Sequence, residues 1–166
     1  MELSAETCKV LLELGAKVDA RDRDGETPLH VAAGKDYDSS VAILQVLLEY
    51  GADVEAISRR YNKTPIHSAQ GTANITCLHE AGAKLDHQDE RGRTALHWAA
   101  HVGDMKKYEC LVELGADEGI CDKDGASARE LYERELEEER NRKKCTCPKA
   151  WARSMCRCKR QLLHFS

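Results

Sequence analysis

Two kinds of apolar segment alternate along the chain. One is short and rich in small residues, with Ala32 and Ala33 after Leu29, Ala69 after Ile66, and Ala99 and Ala100 after Leu96. The other is longer and leucine-rich, as in Val41, Ile43, Leu44, Leu47 and Leu48, whose spacing fits one face of a helix. Each pair predicts a short first helix, able to pack closely through its alanines, followed by a second helix. Beyond Ser127 the pattern changes. ARELYERELEEERNRKK reads as one long polar helix in which Leu131, Tyr132 and Leu136 cover the last apolar unit. Glu130 and Arg134 form a favourable i,i+4 pair, and Arg142 to Lys144 suit a helix C-terminus.

The alternation is periodic. The boxes TPLHVAA from Thr27, TPIHSA from Thr64 and TALHWAA from Thr94 are echoed by SARELY from Ser127. A second landmark closes each leucine-rich stretch: LLELGAKVDA, LLEYGADVEA, CLHEAGAKLD and LVELGADEG. The glycines of this second landmark are Gly15, Gly51, Gly82 and Gly115, spaced 36, 31 and 33 residues apart. Thr27, Thr64 and Thr94 suit helix N-caps, and Pro28 and Pro65 suit the first helical position, where a missing N–H costs nothing. Before the boxes, DRDG at 22–25, DERG at 89–92 and DKDG at 122–125 place Gly where a tight turn uses positive φ.

Two landmarks recurring in phase over residues 4–136 make the chain resemble the ankyrin family, whose unit of about 33 residues is a β-turn and two helices. The resemblance implies an all-α solenoid. Its divisions are a partial unit at 1–20 holding only a second helix, repeats at 21–56, 57–87 and 88–120, a capping repeat with a charged helix at 121–144, and a Cys-rich tail at 145–166. Three departures stand out. The first helix of the first unit is absent. The unit from Thr27 is three residues long at GKDYDSS. The unit from Thr64 is three residues short at QGTANIT, and its turn, 57–63, carries Asn62 in place of Gly and is one residue longer than the others.

Charge changes the picture of what such a stack can bind. The net charge of -4 conceals five bases and no acid in residues 145–166 and six of each sign in 129–144, which leaves -9 for residues 1–128. An acidic body argues against nucleic acid as a partner, because a phosphate-binding surface needs clustered cations. No apolar run approaches the ~18 residues of a membrane span. The N-terminal MELSAETCKV lacks the basic-then-apolar order of a secretion signal, so the eight cysteines are expected as reduced thiols in the cytoplasm or nucleus. Cys8, Cys77 and Cys110 fall in second helices as small buried hydrophobes, and Cys121 lies at a turn.

His30, His67 and His97 recur with the scaffold, and the resemblance implies that each hydrogen-bonds within and between neighbouring turns. They are not read as a catalytic set. No phosphate-binding glycine loop or nucleophile–base pair is present, so we expect no enzyme, no small-molecule substrate and no cofactor in the repeats. The resemblance implies instead a protein-binding module (an adaptor, an inhibitor or a scaffold) that uses a concave face of first helices and finger-like turns. The side chains not committed to the repeat are then the contact candidates: Arg21 and Arg23; Arg59, Arg60, Tyr61 and Lys63; Glu90, Arg91 and Arg93; and, at the turns between helices, Lys35 and His101. Cations dominate, so an acidic stretch of a partner protein is the expected ligand.

The tail carries separate chemistry. Cys145, Cys147, Cys156 and Cys158 form two CxC pairs, with His164 following. Zinc takes such ligands, although its usual pairs are spaced by two to four residues. A reduced basic tail without fixed structure, and lipidated or redox-active cysteines, stand beside that reading. The segment from Pro148 to Arg157 also resembles, distantly, the start of a SOCS box, the adaptor helix that recruits a ubiquitin ligase. It departs from that pattern at Ala152 and Arg160.

Overall fold

The computed structural model describes residues 4–36 and 38–144. The chain divides into two compact units, Met1–Glu135 and Leu136–Ser166. Eight helices are present among the described residues: α1 Ala5–Glu13, α2 Pro28–Ala33, α3 Asp38–Glu49, α4 Pro65–Ser68, α5 Thr72–Glu80, α6 Ala95–Val102, α7 Met105–Glu113 and α8 Ala128–Lys144, the last running across the boundary between the units. The only β-type pairing among them is one antiparallel bridge between Cys121 and Ser127.

In the first unit, α2, α4 and α6 form a row of first helices, and α1, α3, α5 and α7 form a row of second helices. The boxes explain why first helices start where they do. Thr27, Thr64 and Thr94 have extended backbone, and each hydroxyl accepts from the N–H of the histidine three residues on, while that histidine's ring accepts from the Thr N–H. This is a capping box with His in the place of the usual Glu. Pro28 and Pro65 take the first helical position, as their fixed φ favours. Second helices begin on other caps: Ser4 Oγ accepts from Thr7 N, and Asp104 accepts from Lys107 N. They end at Gly15, Gly51, Gly82 and Gly115, all with positive φ.

The core is the seam between these rows. Leu29, Leu44, Ile66, Ile75, Leu78, Leu96 and Leu111 are fully buried, and Ala33, Ala69, Ala95 and Ala99 let the first helices approach each other. Burying one such leucine or isoleucine contributes roughly 1.5–3 kcal/mol. At the far end Leu131 and Tyr132 pack on this core, and the Tyr132 ring stacks on Tyr108 at 4.0 Å between centroids. In the second unit the described stretch, 136–144, is helical, with Glu137, Glu138 and Arg140 exposed.

Three local expectations are corrected. Glu130 does not pair with Arg134: its carboxylate accepts from Ser127 N at the start of α8, and the i,i+4 ion pair is Arg129–Glu133 at 3.1 Å. Cys8 is buried as expected, but Cys77 and Cys110 are only half-buried. The long turn before α4 is built from two consecutive positive-φ residues, Tyr61 (105°) and Asn62 (52°), where the sequence pointed to Asn62 alone.

Candidate functional site

The turns before the first helices are fixed from the side chain inward. Asp22 Oδ1 accepts from the N–H groups of Asp24 and Glu26, and Asp122 Oδ1 from those of Asp124 and Ala126. In the second turn, Ser58 Oγ replaces the carboxylate and accepts from Lys63 N. Successive turns are then joined through backbone. Arg59 N and Arg60 N donate to Asp24 O, Glu90 N to Tyr61 O, and Lys123 N to Arg91 O, all within 2.9–3.2 Å. The histidines add a second line of links. The Nε2 atoms of His30, His67 and His97 bond the carbonyls of Lys63, Arg93 and Ala126 in the next turn, at 3.0–3.2 Å. The three rings are therefore spent one per interface and do not gather around a common centre.

That geometry needs neutral imidazoles, since each Nδ1 accepts from a backbone N–H. Burial holds His67 down to about 4 against a modest upward pull from its bond to Arg93 O, and burial lowers His30 as well.

The third turn differs from its equivalents. Asp89 is 4% exposed, and its carboxylate takes five contacts. Oδ1 accepts from Arg91 N at 2.8 Å and Arg93 N at 3.0 Å. Oδ2 accepts from Arg93 Nε at 3.1 Å and Trp98 Nε1 at 3.0 Å, and Arg93 Nη2 lies 3.0 Å away. Burial alone would raise this carboxyl. The backbone N–H groups of Arg93 and Arg91, with the indole and the guanidinium, outweigh it and hold the group below the usual carboxylate range. The Trp98 ring in turn carries two cations: Arg93 Cζ is 4.0 Å and Lys63 Nζ 3.5 Å from its centroid.

The contact candidates accordingly fall into two groups. Lys63 and Arg93 are half-buried, and Arg21, although exposed, is engaged by backbone carbonyls. Arg21 Nη1 donates to Gly25 O and Ile57 O, tying the first turn to the second. Arg23, Lys35, Arg59, Arg60, Glu90, Arg91 and His101 are exposed. Arg60 lies 3.7 Å from Asp24 and 5.2 Å from the half-buried Tyr61 ring. Arg23, Arg59, Arg60 and Arg91 place exposed guanidinium groups along the joined turns. Lys35 and His101 lie apart from it, after the first helices.

Sequence reasoning missed two residues, Asn74 and Lys107. Ile43, Asn74 and Lys107 are spaced like the glycines that follow them, 31 and 33 residues apart, so they occupy one repeat position. Asn74 and Lys107 do the same work there. Asn74 Nδ2 donates to Ala33 O and Lys35 O at the end of α2, and to Gln70 O, while its Oδ1 accepts from Ser40. Lys107 Nζ donates to Ala69 O at 2.6 Å and His67 O at 3.4 Å at the end of α4. Each polar tip thus satisfies terminal carbonyls of the first helix in the preceding repeat, which that helix cannot satisfy itself. Burial pushes the Lys107 ammonium down to about 8, partly opposed by Asp104. The signal available in the sequence was a polar residue at a position where Ile43 is apolar.

The four tail cysteines, His164 and the SOCS-box-like segment lie outside the described residues. Among the described residues no group of three His, Cys, Asp or Glu side chains converges as a metal site, and no helix is long and apolar enough to cross a membrane.

Comparison with known proteins matches this architecture. A model described as "Ankyrin repeats (3 copies)" matches residues 2–78, and one described as "Ankyrin repeat" matches 91–123. Similar proteins include "Ankyrin repeat domain-containing protein 37" of Bos taurus, 36% identical over 100 residues (58% of this chain and 63% of that protein), and of Homo sapiens, 36% identical over 92 residues (53% and 58%). "Ankyrin repeat protein nuc-2" of Neurospora crassa is 34% identical over 106 residues, 62% of this chain and 9% of that protein. The matched part thus spans less than two thirds of each relative.

Proposed function

Since the chain belongs to the ankyrin-repeat family, we propose that it is a non-catalytic protein-interaction module whose row of joined turns receives an acidic segment of a partner protein. The observation that carries this reading is the exposed line of Arg23, Arg59, Arg60 and Arg91 on an otherwise acidic body. Backbone bonds between successive turns hold the positions from which these arginines project. A fixed array loses less conformational freedom on binding than mobile loops would. Planar guanidinium groups also match carboxylates in a two-pronged geometry. Tyr61, half-buried between turns, supplies an apolar contact beside them.

The test is a charge reversal confined to exposed positions. Arg60→Glu with Arg91→Glu should weaken partner capture by the full chain at least tenfold at low salt, with the far-UV circular dichroism spectrum unchanged. Capture equal to wild type would remove the proposal. Reversal of Arg93 would be uninformative, because it breaks the pair with buried Asp89. Zinc at Cys145, Cys147, Cys156 and Cys158 remains a proposal from sequence. A stoichiometric metal assay on the full chain, and on a chain ending at residue 144, decides it.

A further inference from the structure

The shortened repeat leaves a notch in the face made by the first helices. α4 has four residues, against six in α2 and eight in α6. Val31, Ser68 and Trp98 stand at the same place in their boxes, four residues after the capping Thr. Past Ser68 the middle helix stops, whereas α6 continues to Val102. The result is a groove of about 600 Å3 beside the end of α4. Val31 (47% exposed) and Val102 (72% exposed) stand on its walls as uncovered apolar groups.

Of the three lysines that line the same groove, Lys35 is exposed, Lys63 half-buried and Lys107 buried. Lys107, 8% exposed, uses two of its three N–H donors on the α4 carbonyls, which leaves one over. Lys63 rests on the Trp98 ring, with no carboxylate within ion-pair distance among the described residues. Burial lowers the affinity of both for their proton, and neighbouring Arg93 adds to this at Lys63. Three acids also line the groove. Asp104 caps α7 through Lys107 N, and Asp36 lies against Gly71 at the start of α5. Glu26, on the turn side, is the third.

We infer that this notch receives one aspartate or glutamate side chain of the partner's segment, flanked by an apolar residue that covers Val31 and Val102. The inference rests on the proposed acidic-segment reading and adds a specific position to it. Both ammonium groups are already partly stripped of water and fixed in place, Lys107 by two carbonyls and Lys63 by an indole whose N–H is anchored on Asp89. An entering carboxylate meets donors that need little reorganisation. An apolar or cationic side chain would leave them unpaired.

The experiment uses the full chain as bait for a random dodecapeptide phage library, followed by titration of a synthetic version of the most enriched peptide. Enriched sequences should share an acid adjacent to Leu, Ile, Val or Met. Val102 is exposed, so Val102→Glu and Val102→Lys should both fold; each removes the same apolar contact, and the two differ from each other in charge. The peptide should bind Val102→Lys at least fivefold more tightly than Val102→Glu, and Lys63→Gln should weaken it about tenfold. Equal affinities for the two Val102 variants, or enrichment without an acid, would overturn the notch. If Arg60→Glu with Arg91→Glu still abolishes binding in that case, the turn-edge reading survives without it. A library that enriches nothing counts against both.

Discussion

Replacing Asp89 by Ala gives the sharpest test of how this protein is held together, because an equivalent residue in another turn provides the control. Asp22 and Asp89 occupy the same place in their turns and accept the same pair of backbone N–H groups. Asp22 is exposed, so water replaces its carboxylate, and Asp22→Ala should cost about 1 kcal/mol, as for a lost cap. Asp89 is buried and also holds the Arg93 guanidinium and the Trp98 indole. Its removal strands a partly buried cation and an indole N–H, and breaking one side of such a pair costs roughly 3–5 kcal/mol. The expected difference between the two variants is therefore about 2–4 kcal/mol. Urea unfolding followed by far-UV circular dichroism at pH 7 reads it directly as a shift of midpoint at unchanged slope. If Asp89→Ala is no more costly than Asp22→Ala, the cluster around Trp98 contributes nothing beyond its turn.

Three further outcomes follow from named contacts. His67 is held neutral in the fold, with its pKa lowered from 6.5 to about 4, so the unfolded chain binds the extra proton first. Stability should then fall as pH drops from about 6.5 toward 4, by up to about 3 kcal/mol from this group, and the urea midpoint of His67→Gln should vary less over that range. Asn74→Ala removes the donor shared by Ala33, Lys35 and Gln70 carbonyls and should cost about 2–3 kcal/mol in urea unfolding, whereas Thr72→Ala, at an exposed neighbour, should change little. Gly25 has φ of 76°, and a Cβ there would lie 2.7 Å from Arg59 N, whereas a Cβ on Gly51 (φ 81°) meets nothing within 4 Å. Gly25→Ala should therefore lower the melting temperature clearly more than Gly51→Ala, although both carry the strain of positive φ.

Helix order and capping were legible in the sequence because they depend on local chemistry that recurs in phase. Thr27 with Pro28 and His30, or Gly51 after its leucines, specifies its conformation within a few residues. The contact edge was legible only in part. A sequence shows that Arg21, Arg60 and Arg93 all stand in turns. It does not show that Arg21 reaches the carbonyl of Ile57, 36 residues away, or that Asp89 withdraws into the core and takes Arg93 with it. The length of the turn at 57–63 was visible, but the way Tyr61 absorbs the extra residue was not, because a bulky side chain at positive φ runs against its own preference. Asn74 and Lys107 were hidden for a third reason. Their partners are carbonyls of the preceding repeat, and backbone acceptors leave no mark on a sequence.

The matching roles of Asn74 and Lys107 bear on how such a chain can change over evolution. Asn74 reaches the end of α2, the six-residue first helix of the repeat before its own, while Lys107, with a longer arm, reaches the end of the four-residue α4 in the repeat before its own. The two repeats are therefore not interchangeable cassettes: exchanging them, or deleting either, would set each polar tip against a helix end of the wrong reach. A shuffled chain would keep every helix and lose its registration, so recombination within this gene should be tolerated only where the crossover carries a first helix together with the polar tip of the next repeat.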